Sequence, residues 1–166
     1  MVKKFLETII PIILEKNNIP NSDFIVACPF GSINYKLNTS ESDLDMIVVL
    51  RHGENHKVIE LTGEIYFCNI TTFIKKIQKR DIKYWECLLT SHAYVSPRLE
   101  KEWHEFKVGL LGTVEHLDFL GFLKYKIQEH FDYLLWIPVR TQSLEYYHQK
   151  RMYLMLHCRE QYEQLK

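Results

Sequence analysis

Residues 43–50 read DLDMIVVL, and ten residues separate this stretch from the pair Gly31-Ser32. Its apolar, β-branched second half predicts a largely buried strand. Side chains two apart on a strand point to the same face, so we expect the carboxylates of Asp43 and Asp45 to project together. An unpaired carboxylate is costly to bury in such a run. This cost favours a functional site, in which the two carboxylates act together, over the alternative that Asp43 caps a turn and Asp45 is merely exposed.

The segments on either side of this stretch also predict strands. Residues 24–28 are a short apolar run that ends just before Gly31, where the chain is expected to turn. Residues 57–69, after a polar loop, predict a single strand returning antiparallel to the strand of Asp45. Such a neighbour would place the carboxylate of Glu64 beside the two aspartates.

The remaining segments are predicted to be helical. Residues 2–17 carry an apolar stripe of helical period that we expect to be bent or broken near Pro11. From Thr71 onward, apolar spacing predicts two short helices separated near residues 80–81. Another helix is predicted over residues 98–111, and two longer helical patterns follow it.

These elements predict an α/β (α+β) fold, a small mixed sheet backed by helices with a C-terminal helical layer. We expect residues 1–97 to form the core and residues 98–166 to form a helical extension packed on it as a single compact unit. The 166 residues and 46% hydrophobic content are sufficient for one such core.

Composition narrows the classes of function. Lys plus Arg and Asp plus Glu both number 21, so no overall basic field gathers nucleic acid, which disfavours a processive polymerase that holds a long duplex. The four cysteines are far apart and lie in apolar runs, which indicates reduced core thiols. No segment predicts a membrane anchor or a cleaved leader, so we expect a soluble, cytoplasmic protein.

The loop and the acidic strand together resemble the signature of the DNA polymerase beta-like nucleotidyltransferase superfamily, in which a Gly-Ser pair precedes an acid-x-acid strand. A narrower resemblance is to the predicted nucleotidyltransferases of the RNA repair pathway DNA polymerase beta family. It covers about residues 24–97 and rests on GSINY at 31–35, ESDLD at 41–45, an acid-led strand from Glu64 and the segment WECLL at 85–89.

The resemblance implies transfer of a nucleoside monophosphate from a nucleoside triphosphate (NTP, for instance ATP) to an acceptor hydroxyl, with Mg²⁺ or Mn²⁺ as cofactor. Asp43 and Asp45 would bridge two metal ions, and Glu64 would complete the second metal's shell or act as general base. Gly31 and Ser32 would cradle the triphosphate, with a helix N-terminus after Ser32 adding to the field. Lys36 and the turn residue Ser42 complete the predicted nucleotide-binding set.

Two departures from the family pattern keep a second interpretation open. The family usually has glycine where this chain has Lys36, and aspartate where it has Glu64. The alternative is a weak or inactive binding module with the same fold, such as an antitoxin-like or regulatory partner. A helical ribonuclease using Arg151 and His157 is a further alternative.

The acceptor stays open among RNA or tRNA, DNA, protein and small molecules, as does the oligomeric state. Glu86, within WECLL, is predicted either to orient a loop or a basic residue at the cleft, or to be a plain exposed helix residue.

Overall fold

The computed structural model describes residues 1–35, 38, 42–79 and 81–112 of the chain. The described elements, in chain order, are the helix α1 (Val2–Lys16), the strands β1 (Phe24–Pro29), β2 (Met46–Leu50), β3 (His56–Glu60) and β4 (Gly63–Asn69), the helices α2 (Ile70–Gln78) and α3 (Ile82–Leu89), the strand β5 (Tyr94–Val95) and the helix α4 (Glu100–Gly112). The chain divides into two compact units, Met1–His104 and Glu105–Lys166. The first contains every described strand.

The strands form one mixed sheet in the order β3-β4-β2-β1-β5. Strand β2 is central and all five of its residues are buried. It pairs antiparallel with β1 and parallel with β4, and the edge strands β3 and β5 pair antiparallel with β4 and β1. The predicted mixed α/β fold is therefore confirmed.

Helix α1 covers one face of the sheet. Its apolar stripe, including Leu6 and Ile10, packs against Met46, Val48 and Ile65 of the central strands. Burial of this stripe is the main force that holds the helix on the sheet, since each fully buried aliphatic side chain contributes roughly 1.5–3 kcal/mol. The alternate strand residues face the other side, where α2 lies against β2 and β4, and α3 lies against β1.

The helix boundaries agree with the sequence prediction apart from Pro11. Helix α1 is continuous through this residue, so the expected break is absent. Pro11 is exposed, so water can solvate the carbonyl group that lacks its usual helical donor. The two predicted short helices are α2 and α3. The side chain of Asn69 caps the first by accepting from Thr72 N, and that of Asp81 caps the second by accepting from Lys83 N.

The predicted single strand over residues 57–69 is wrong. The segment is a hairpin of β3 and β4 that turns at Leu61-Thr62, and β4 runs parallel to β2 rather than antiparallel. Gly63 has φ +139°, which allows the chain to reverse there. The two predicted C-terminal helices beyond residue 112 lie outside the described residues. In the described part of the chain, no helix is long and apolar enough to span a membrane.

Candidate functional site

The register of β2 and β4 places Asp45 and Glu64 next to each other. Met46 is paired with Ile65 in the parallel ladder, so the acids that precede them occupy the same position on neighbouring strands. The Glu64 amide donates to Asp45 Oδ1 over 2.9 Å. Met46 and Ile65 point into the α1 face of the sheet, so the two acids lie on the opposite face.

The turn after β1 lies at this same edge of the sheet. Pro29 is paired with Met46, and the amide of the next residue, Phe30, donates to the Asp45 carbonyl over 3.0 Å. Gly31 and Ser32 follow directly. The sequence-predicted Gly-Ser turn and the acids Asp45 and Glu64 therefore come together where β1 ends and β2 and β4 begin.

Asp45 carries a perturbed carboxyl group. Partial burial raises its pKa from the ordinary 3.8, and the nearby carboxylates of Glu64 and Asp43 raise it further, against the hydrogen bond from the Glu64 amide and the charge of Lys83. Asp43 is exposed, but its charge reaches Asp45. A cluster of like charges of this kind is relieved by a bound cation, and carboxylate oxygens are the ligands that Mg²⁺ takes in proteins. These carboxylate oxygens are therefore donors of the kind that a divalent ion takes.

Gly63 allows the carboxylate of Asp45 to approach the start of β4. A Cβ atom at this position would lie 2.9 Å from Asp45 Oδ1 and 2.9 Å from the Leu44 carbonyl oxygen. Its φ of +139° independently excludes most side chains. Glycine is therefore required here on two grounds.

The carboxylate of Glu64 is bonded to two side chains. Tyr66 donates its hydroxyl to Oε2 over 2.6 Å, and Lys57 Nζ lies 3.1 Å from Oε1. These bonds, the tyrosine first, lower the pKa of Glu64, and the same bond raises the pKa of Tyr66 to about 12. A carboxylate held in its charged form suits metal binding better than general-base catalysis, which needs a pKa near the operating pH.

These two bonds also bear on how the three acids are arranged. Among the described residues, no group of three or more His, Cys, Asp or Glu side chains is placed to hold a metal ion. The structure thus brings Asp45 and Glu64 together through the backbone, with Asp43 near enough to act on Asp45 electrostatically. Closing a three-acid shell would require the Glu64 carboxylate to turn from Lys57 and Tyr66.

The side chain of Glu86 fixes the turn at Gly31. Gly31 has φ +87°, in the left-handed region that favours glycine, and its amide donates to Glu86 Oε1 over 2.6 Å. That amide is therefore not directed at a phosphate group. Ser32 starts a 3₁₀ turn over Ser32–Tyr35 instead of the expected helix, so any helix-dipole contribution there is that of a single turn.

Glu86 is the centre of a buried hydrogen-bond network. It is fully buried in α3, and its Oε1 also accepts from Asn34 Nδ2 over 3.0 Å. Asn34 donates to the Pro29 carbonyl and accepts from the Thr90 hydroxyl at 2.7 Å. The expectation that Glu86 orients a loop is confirmed, and the alternative of an exposed helix residue is wrong.

The outcome for the remaining predicted residues is brief. Lys36, Arg151 and His157 lie outside the described residues. Ser42 is exposed and precedes the acidic pair.

Four residues of the site were not singled out from the sequence: Asn34, Gly63, Tyr66 and Lys83. The signal for Lys83 was its position three residues before Glu86 on one helix, which places both on the same side. Gly63 was signalled by its place directly before the third acid.

Comparison with known proteins adds no further identification: no protein-family model matches the chain, and no curated protein matches its sequence.

Proposed function

We propose that the chain is an Mg²⁺- or Mn²⁺-dependent nucleotidyltransferase that moves a nucleoside monophosphate from an NTP to an acceptor hydroxyl. The observation that carries this proposal is the meeting of Asp45, Glu64 and the Gly31-Ser32 turn at one edge of the sheet. The resemblance of these segments to DNA polymerase beta-like nucleotidyltransferases supports it.

In the reaction, the acceptor hydroxyl oxygen forms a bond to the α-phosphorus and releases its proton to solvent, the bond from the α-phosphorus to the oxygen that bridges to the β-phosphate breaks, and pyrophosphate leaves. Bound divalent ions supply charge neutralisation and activation of the acceptor hydroxyl. Asp45 and Glu64 would hold these ions, with Asp43 adding negative charge at the rim. The Gly31 turn, fixed by Glu86, would position Ser32 to donate to a phosphate oxygen.

Labelled-nucleotide transfer tests the proposal. Wild-type protein is incubated with each α-labelled NTP, Mg²⁺ or Mn²⁺, and total RNA, DNA or protein, and label in the acceptor is measured. Asp45→Asn keeps an oxygen for the Glu64 amide but removes the charge, so transfer should fall at least about 100-fold, as expected when a group that stabilises the transition state is removed.

Asp23→Asn is the matched control, because Asp23 lies at the opposite end of β1 from the Gly31 turn. It should transfer at the wild-type rate. Equal activity of Asp45→Asn and Asp23→Asn would refute the assignment of Asp45 as a metal ligand.

A binding module without turnover is the second candidate, and one observation favours it. Both oxygens of Glu64 are already bonded to Lys57 and Tyr66, so the third ligand is not free to coordinate in this arrangement. Metal-dependent binding of an NTP with no label transferred to any acceptor would support the module over the enzyme.

A further inference from the structure

Lys83 lies at the same edge of the sheet as the candidate metal ligands. It is in the first turn of α3, and its Nζ is 4.5 Å from the centre of the Tyr66 ring and 4.9 Å from that of Phe30. The two rings are 6.0 Å apart and tilted by 52°. The ammonium group thus rests on two aromatic faces that fix its position.

Both aromatic residues belong to the site. Phe30 directly precedes Gly31, and its amide bonds to the Asp45 carbonyl. Tyr66 bonds to the carboxylate of Glu64. The positive charge of Lys83 favours the ionised form of both acids, although burial still leaves the pKa of Asp45 above its ordinary value.

Lys83 nevertheless makes no ion pair within the described part of the chain. Three other lysines do, each with a carboxylate within 4.0 Å: Lys16, Lys57 and Lys76. An ammonium group has three N–H donors, and aromatic faces attract its charge without supplying a strong acceptor. Were Lys83 a built-in substitute for the metal ion, its Nζ would lie in contact with Asp45 or Glu64. Among the residues that the structure describes, no carboxylate takes these donors, which leaves them available to an anion.

We propose that Lys83 binds a phosphate group of the nucleotide's triphosphate tail, beside the Gly31-Ser32 turn. This proposal rests on the proposed function, and it names the polyphosphate as the part of the substrate that the chain itself recognises. Two acids without a nearby cation would repel a triphosphate. A lysine held close to them, but not paired with them, offsets this repulsion.

Binding of inorganic tripolyphosphate in the presence of Mg²⁺ tests the proposal independently of base preference and of any acceptor. Lys83→Met keeps a long side chain against the two rings but removes the charge. It should weaken binding about 10- to 100-fold, the range expected for loss of a hydrogen bond to a charged group. Lys83→Arg, which retains a cation on the rings, should keep most of the affinity.

Lys76→Met is the matched control, because Lys76 also lies over a tyrosine ring, that of Tyr84, but pairs with Asp81. It should bind tripolyphosphate as wild type does. Thermal unfolding of each variant verifies that the fold is kept.

Equal binding by Lys83→Met and Lys76→Met would overturn the proposal. So would a gain in Mg²⁺ affinity in Lys83→Met with tripolyphosphate binding unchanged, which would make Lys83 a competitor of the metal. The failure of this proposal can be told apart from the failure of the proposed function. Tripolyphosphate binding that depends on Lys83, without nucleotide transfer, would refute only the enzymatic activity. Nucleotide transfer by Lys83→Met with an unchanged KM for NTP would refute only the role of Lys83.

Discussion

Replacing Glu86 by alanine tests whether the Gly31 turn is held by α3. The substitution removes the oxygen that accepts from the Gly31 amide at 2.6 Å and from Asn34 Nδ2 at 3.0 Å. A buried donor left without its acceptor costs about 1–3 kcal/mol; this applies in full to the buried Asn34 amide and in part to the half-buried Gly31 amide, so the free energy of unfolding should fall by at least about 1–3 kcal/mol. The measurement is denaturant-induced unfolding followed by circular dichroism.

Glu86→Gln separates the acceptor from the rest of the side chain. Both bonds use the same oxygen, Oε1, and the amide oxygen of glutamine can occupy its place. We therefore expect Glu86→Gln to lose much less stability than Glu86→Ala, and it remains measurable if the alanine variant does not fold.

Glu54→Ala is the surface control, since Glu54 is exposed in the loop before β3. Its cost should lie within about 0.5 kcal/mol of zero. The reasoning is refuted if Glu86→Ala costs no more than Glu54→Ala, because the network would then contribute nothing to the stability of the turn.

Three further predictions concern single side chains. Gly63→Ala should lower the free energy of unfolding in denaturant more than Gly53→Ala does. Both glycines have positive φ, but only at Gly63 would the new Cβ lie 2.9 Å from Asp45 Oδ1. Equal losses of stability would contradict the close approach. The raised pKa of Asp45 means that the stability contributed by its protonation is present below pH 3.8 and is lost as the pH rises through the native pKa. Asp45→Asn does not titrate in this range, so its free energy of unfolding should rise relative to that of wild type between acid and neutral pH. A difference that stays constant with pH would contradict this. Burial also raises the pKa of the Cys87 thiol. Peptide mapping after thiol labelling should therefore find Cys87 modified only when the chain unfolds. Rapid labelling of the native protein at Cys87 would contradict its burial.

Local patterns in the sequence were sufficient for the elements that carry the site. The buried strand β2, the turn at Gly31 and the helices α2 and α3 were each predicted, because strand alternation, a glycine after an apolar run and helical spacing are properties of short segments. The adjacency of Asp45 and Glu64 was also expected, although the reason given for it was wrong. A parallel pairing, not an antiparallel one, brings them together.

The parts that could not be predicted depend on partners distant in the sequence. Glu86 lies 55 residues from Gly31, and nothing in either segment names the other as a hydrogen-bond partner. The hairpin of β3 and β4 was mistaken for one strand because its two arms are both rich in β-formers and only two residues separate them. The bond between Lys57 and Glu64 follows from that hairpin, so it was missed with it.

The hairpin also has a consequence for the order in which the chain folds. Contacts between β3 and β4 join residues close in sequence, so they can form within microseconds, whereas pairing of β4 with β2 closes a longer loop. The bond between the Asp45 carboxylate and the Glu64 amide depends on this second, longer-range pairing. Substitutions that slow formation of the turn at Leu61-Thr62 should therefore delay the pairing of β4 with β2, and with it the contact between Asp45 and Glu64.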